Sequence, residues 1–262
     1  MERTENTPFV NFSLQCLKDN CLKFNRLFPN SKILYSIKAN AEDRIIDTVD
    51  KMGFGFDVAS LGEIYIMKRH KIDSDRIYFS NPTKIPKHIS HAKSEGINRF
   101  AFDSKMEVEK LSKLAPKSEV YVRIIVNNDG SRWPLKSKFG VDLNEALSLM
   151  HYAREMGLLP KGITFHVGSQ NLSPKTWTLA IQKSAHLWKM LIREKLMTKD
   201  SFINMGGGFP GTYKEKTPPL QQYAKQINSD FSKLFPTETQ MIIEPGRSLV
   251  ADCGYIESTI IN

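Results

Sequence analysis

Three cysteines in 262 residues (Cys16, Cys21 and Cys253) make a poor disulfide framework for a chain of this length. Their scarcity predicts a reducing compartment, with the cytoplasm as the default. Long apolar runs are absent too. Met241-Ile242-Ile243 is typical of what there is, far short of a membrane span. Met1 to Val10 is polar, without a basic flank followed by an apolar stretch, so no secretory leader is expected. No low-complexity stretch or internal linker interrupts the chain. No RRM, zinc-finger or helix-turn-helix signature accompanies the net charge of +9, and the lysines are scattered rather than blocked. The basic balance therefore reads as general surface charge, not as a nucleic-acid site. What is present is a globular composition, 40% hydrophobic and 25% charged, long enough for one large domain or two smaller ones.

Short β-branched or aromatic runs alternate with segments of helical period. Strands are expected at Ile33-Ile37, Phe54-Val58, Arg76-Phe79, Arg99-Phe102, Glu119-Val126, Ile163-Val167, Phe202-Met205 and Met241-Glu244. Seven amphipathic stretches separate them, and an eighth, carrying Leu14, Leu17, Cys21, Phe24 and Phe28, precedes them. Strict β/α alternation implies a parallel sheet, and eight strands over this length fit a (β/α)8 TIM barrel. An open doubly wound sheet would place its phosphate-binding glycines after the first strand. Here Gly206-Gly207-Gly208 follows the seventh, so the barrel is preferred.

In a barrel, function sits at the C-terminal ends of the strands. Lys38 ends the first strand, Asp57 the second and His166 the sixth, while Arg123 lies within the fifth. Gly206-Gly208 follows the seventh and Glu244-Pro245-Gly246-Arg247 the eighth, where barrels commonly hold phosphate. Glycine lets backbone N–H groups approach phosphate oxygens, and arginine adds a bidentate charged donor. Each feature alone has a plain reading: a solvated lysine, a core histidine, a turn. Together a lysine, an acid, an imidazole and a phosphate cup converge on one mouth, which is what pyridoxal 5′-phosphate (PLP) requires. His88 and His91 have metal-compatible spacing but no third ligand, and Cys16 and Cys21 lack redox spacing, so no metal site is expected. Trp177 and Trp188 read as packing residues.

Six segments in order carry a closer resemblance: YSIKAN (Tyr35-Asn40), FDVASLGEI (Phe56-Ile64), WPLKSKFG (Trp133-Gly140), FHVGSQ (Phe165-Gln170), GGGFPG (Gly206-Gly211) and EPGR (Glu244-Arg247). In these the chain resembles the ornithine/diaminopimelate/arginine decarboxylase family, the fold-type III, alanine-racemase-like PLP barrels, with wording nearest the ornithine/lysine branch. The resemblance implies that Lys38 is the Schiff-base lysine, that His166 stacks on the cofactor face and that Glu244 pairs with the pyridine nitrogen. Ser169, Gly206, Gly207, Gly208, Pro245, Gly246 and Arg247 then surround the phosphate, and Asp57 and Arg123 lie near the ring. The implied activity is decarboxylation of ornithine or lysine to a diamine. The alternative is a non-catalytic PLP-binding or regulatory barrel.

Family members continue into a C-terminal β-domain that supplies a catalytic cysteine, acidic residues for the distal amine and a tyrosine on the phosphate. Their active site lies at a homodimer interface. The expected division here is a barrel over 1–247 and the start of a C-terminal β-domain over 248–262, completed in a longer homodimeric chain or by a separate polypeptide. Leu249-Ile261 is expected to be a strand lacking a partner sheet.

Overall fold

The computed structural model describes residues 7–134, 138–213 and 216–260. Part of the WPLKSKFG segment, residues 135–137, and the end of the expected Leu249-Ile261 strand lie outside the described residues. In chain order the elements are β1 (Phe9–Phe12), α1 (Leu14–Leu27), β2 (Ser31–Ser36), α2 (Asp43–Lys51), β3 (Gly55–Val58), α3 (Leu61–Arg69), β4 (Ile77–Phe79), α4 (Pro86–Ser94), β5 (Arg99–Phe102), α5 (Lys105–Leu114) and β6 (Glu119–Arg123). They continue with β7 (Ser131–Trp133), α6 (Leu143–Glu155), β8 (Leu159–Thr164), β9 (Ser169–Asn171), α7 (Lys175–Arg193), β10 (Phe202–Asn204), α8 (Leu220–Leu234), β11 (Gln240–Ile243), α9 (Arg247–Val250) and β12 (Gly254–Glu257).

Helix starts follow from local chemistry. Ser60, Ser104 and Asp142 each accept from the backbone N–H three residues on, at Glu63, Glu107 and Glu145. Each pair has the spacing of a capping box, with the acid also placed in the electropositive first turn. Eight parallel strands close into a barrel in the order β10-β11-β2-β3-β4-β5-β6-β8. The expected (β/α)8 architecture is therefore present.

Period-two alternation then builds the site. Leu34, Tyr78, Ala101, Tyr121, Phe202 and Ile242 form an apolar cluster of their own, apart from the larger core between strands and helices. Phe202 fits only because Gly162 faces it: a Cβ there would sit 2.4 Å from the Phe202 ring. Side chains two residues on point to the same face. On six of the eight barrel strands that step leads from the inner layer to a polar residue: Leu34 to Ser36, Gly55 to Asp57, Tyr78 to Ser80, Tyr121 to Arg123, Phe202 to Asn204 and Ile242 to Glu244. The hydrogen bonds agree, since Ser36 reaches Asp57 across β2 and β3, and Ser80 and Asn204 both reach Glu244.

Two short ribbons decorate the barrel. β7 pairs antiparallel with β9, and β1 with β12 from Phe9↔Glu257 to Phe12↔Gly254. The second pairing corrects the expectation of an unpartnered strand over Leu249-Ile261. Arg247–Val250 is a helical turn with Leu249 fully buried, and the strand that follows pairs with the N-terminal segment. Packing of Leu249 and Val250 into the core overrides their β-branched surroundings.

Candidate active site

Lys38 sits on a 3-10 turn, Ile37–Ala39, just past β2 rather than on the strand itself. Its Nζ lies 3.5 Å from Asp57 Oδ2, an oxygen that also accepts from Ser36 Oγ at 2.8 Å. Asp57 is buried, whereas the Lys38 side chain remains 62% exposed toward the mouth. The Asp57 carboxylate, outweighing the opposing effect of burial, holds the Lys38 ammonium above its usual range. Asp57 Oδ1 is buried without a hydrogen-bond partner.

Glu244 follows β11 directly. Its Oε1 accepts from Ser80 Oγ at 2.5 Å and from Asn204 Nδ2 at 2.6 Å. Burial, with the nearby Asp57 charge adding to it, pushes the Glu244 carboxyl well up despite those two donors. Ser80 also meets Tyr121 OH at 2.9 Å, which ties the carboxylate to the apolar layer below.

His166 lies two residues beyond β8. The Gly168 N–H donates to its Nδ1 at 2.9 Å, so that nitrogen is an acceptor and the ring proton belongs on Nε2. Burial first, then the Arg123 and Lys38 charges, lower its pKa to about 3. The ring is therefore neutral throughout the physiological range. Arg123 ends β6, stacks on the Phe139 ring at 5.1 Å and faces Glu244, Asp103 and Asp57.

The glycines divide into two groups. Gly206 donates its N–H to Asn204 Oδ1 at 2.9 Å, and a Cβ there would meet Phe165 O at 2.4 Å, so it packs behind the cup. Pro245 is likewise structural, its carbonyl accepting from Ser36 N–H at 3.1 Å. Gly207, Gly208 and Gly246 line the cavity with Ser169 and Arg247. Gly208 has φ +102 and no room for a side chain, because a Cβ would lie 2.6 Å from Gly168 O. Arg247 opens α9, with its guanidinium 4.9 Å from the Trp133 ring and 5.7 Å from that of Tyr213. Its Nη1 donates to Tyr213 OH at 2.7 Å, while its Nε is buried with no partner.

These groups surround a cavity of about 520 Å³ that holds Lys38, His166, Ser169, Gly207, Gly208, Glu244, Gly246 and Arg247 together. Asp57, Arg123, Gly206 and Pro245 lie behind its lining. Sequence reasoning missed Ser80 and Asn204, the two donors on Glu244, although both stand two residues past an interior apolar residue. It also missed the far wall, where Val10, Phe12, Tyr255 and Ile256 of the β1/β12 ribbon line the cavity. The arrangement offers an amine at the mouth, a buried carboxylate, a neutral imidazole and an anion cup.

The family profile described as "Pyridoxal-dependent decarboxylase, pyridoxal binding domain" matches residues 14–251. The lysine/ornithine decarboxylase of Selenomonas ruminantium is 32% identical over 256 residues, covering 97% of this chain and 64% of that protein. Ornithine decarboxylase of Caenorhabditis elegans is 34% identical over 259 residues, covering 98% and 60%. The crystal structure of SrLDC in complex with PLP and cadaverine superposes with a TM-score of 0.90 at 31% identity, over 97% of this chain and 64% of that one. The chain thus spans less than two thirds of the length of these relatives. A closed eight-stranded barrel, the six motifs in order and a profile that matches most of the sequence agree, and the chain belongs to the pyridoxal-binding domain family of the pyridoxal-dependent decarboxylases.

Proposed function

We propose that this barrel binds PLP and carries out the cofactor-dependent part of the decarboxylation of ornithine or lysine to a diamine. The observation that carries the proposal is the convergence of Lys38, Glu244 and the Gly207-Gly208-Arg247 cup on one cavity. The residues fit the cofactor. Arg247 Nε is a buried donor without an acceptor, and phosphate oxygens supply acceptors. Gly207 and Gly208 leave open the space that a Cβ would fill only by striking Glu244 O or Gly168 O. Lys38 provides an amine for an aldehyde, held by Asp57.

Bound there, PLP supplies an electron sink for the pair left when CO₂ departs. The chain's own part is positioning and charge. Glu244, fixed by Ser80 and Asn204, presents a carboxylate to a ring nitrogen and favours its protonated form. His166, neutral and oriented by Gly168, offers a flat face without adding positive charge beside the ring. Gly207, Gly208, Ser169, Gly246 and Arg247 hold the phosphate through backbone and charged donors. Asp57 holds the Lys38 ammonium, and Arg123 faces the acids from the far side.

The reading includes the division into a barrel over 1–247 and the start of a β-domain over 248–262. That β-domain, in a longer homodimeric chain or a separate polypeptide, completes substrate orientation and reprotonation in the cytoplasm. Cys253 is not assigned that proton: its thiol is buried, donates to Leu249 O at 3.2 Å and is not among the residues that line the cavity. No helix among the described residues is long and apolar enough to cross a membrane.

The test is CO₂ release from ornithine, lysine, arginine and diaminopimelate by the PLP-loaded chain, with and without a supplied C-terminal domain. Turnover of ornithine or lysine that depends on the added domain is expected. PLP binding with no turnover in either case would favour the regulatory alternative.

A further inference from the structure

The cysteines show no metal-binding spacing in the sequence, yet the fold brings two of them to one carboxylate. Cys16 lies in the first turn of α1, and Asp252 and Cys253 lie between α9 and β12. A sulfur from each cysteine and a carboxylate oxygen of Asp252 all lie within 4.8 Å of one another. We propose that Cys16, Asp252 and Cys253 form a binding site for a thiophilic cation of the Zn²⁺ class, separate from the cofactor cavity.

The donor set selects the ion. Two sulfurs and one carboxylate suit a borderline-soft d¹⁰ cation and not Mg²⁺ or Ca²⁺, which require oxygen shells. Three protein ligands leave a fourth tetrahedral position for water. Bonds of about 2.0–2.3 Å to one tetrahedral ion place ligand atoms roughly 3.3–3.8 Å apart. The side chains therefore close by movements on the order of 1 Å, within ordinary rotamer adjustment.

The surroundings already hold these side chains together. Asn20 Nδ2 lies 3.1 Å from Asp252 Oδ1, 3.4 Å from Cys253 Sγ and 3.0 Å from Leu249 O. Cys16 N–H donates to Ser13 Oγ at 3.1 Å, and Ser13 N–H to the Cys253 carbonyl at 2.7 Å. The backbone on both sides of the cluster is thus tied before any ion arrives. Asp252 is exposed and Cys16 half-buried, which leaves a route in from solvent, while Cys253 forms the buried end.

Binding is a proton exchange without redox change. Each thiol releases its proton to water as its sulfur–metal bond forms, and the cation stays divalent. Because the cation displaces the thiol protons, affinity rises with pH. Cys253 immediately precedes β12, whose Tyr255 and Ile256 line the cofactor cavity. A bound ion would pin the base of that wall to α1. The proposal does not depend on PLP chemistry and is tested without it.

Cadmium is the probe, added to the reduced full chain. The ultraviolet band of thiolate-to-cadmium charge transfer should saturate at one equivalent, and Zn²⁺ should displace it. Cys16→Ser and Cys253→Ser should each lose the band, Cys21→Ala should keep it, and Asn20→Ala should bind about 10- to 100-fold more weakly. Zn²⁺ should raise the Tm of the parent and of Cys21→Ala, but not of Cys16→Ser. Because Cys253 is buried, Cys16→Ser and Asp252→Asn decide the matter if Cys253→Ser does not fold. No band with the reduced parent, or an unchanged band in Cys16→Ser, would overturn the proposal. So would a parent that ignores cadmium yet forms a Cys16–Cys253 disulfide on adding an oxidant.

Discussion

Asn204 Nδ2 donates to Glu244 Oε1 over 2.6 Å, joining the first residues past two neighbouring strands' apolar layer into one buried acid–amide pair. Ser80 donates to the same oxygen, and among the described residues no hydrogen bond goes to the other. The carboxylate is therefore fixed by one oxygen, with its residue lining the cavity.

Glu244→Gln should keep PLP bound but remove the charge that favours a protonated ring nitrogen. We expect decarboxylation, measured with the completing domain present, to fall by more than tenfold while PLP affinity changes little. Arg247→Ala should do the reverse, weakening PLP by about 1.5–3 kcal/mol, the range for a hydrogen bond to a charged group. Titration of cofactor fluorescence beside CO₂ release separates the two. Equal behaviour in both variants would contradict the division of roles.

Asn204→Ala leaves Glu244 with one donor instead of two. A loss of about 1–3 kcal/mol in stability is expected from the under-satisfied buried acceptor, read as a lower urea midpoint. Asn204→Asp should be worse near neutral pH, since it sets a second carboxylate against Glu244.

Trp133, at the end of β7, and Tyr213, between β10 and α8, hold Arg247 from two sides of the chain's fold. Tyr213→Phe removes only the hydroxyl that accepts from Nη1, so it should weaken PLP by less than Arg247→Ala does. Trp133→Ala should cost about 0.5–1 kcal/mol, the usual worth of an exposed cation–π contact. Both effects should appear in PLP affinity.

His166 supplies a pH dependence with a definite sign. Its folded pKa of about 3 lies below the ordinary value of 6.5, so the unfolded chain binds this proton first. Its contribution to stability is complete above pH 6.5 and is lost as pH falls from there toward 3, at up to about 1.4 kcal/mol per pH unit. His166→Asn keeps an acceptor for the Gly168 N–H but cannot titrate. Urea midpoints from pH 7 to pH 4 should fall less steeply for the variant than for the parent. Parallel curves would show that His166 is not the titrating group.

Much of this was legible because the signals were local. Strand and helix periods act within a few residues, and the barrel followed from their alternation. Lys38, Glu244, His166 and the Gly207-Gly208-Arg247 cup were visible as chemistry at strand ends. Ser80 and Asn204 were not, because a single serine or asparagine after a strand carries no pattern until the apolar layer beneath it is known. The β1/β12 ribbon pairs Phe9 with Glu257 across nearly the whole chain, and no local period reports such a partner. The tail was misread for the related reason that Leu249 buries against distant residues.

The central claim is that Lys38 is the residue to which PLP is attached. Borohydride reduction of the PLP-treated chain, followed by peptide mass mapping, tests it directly. The account predicts one covalent adduct, located on Lys38 and missing from Lys38→Ala, with Lys84 and the surface lysines unmodified. An adduct on another lysine, or none in the parent, would contradict it.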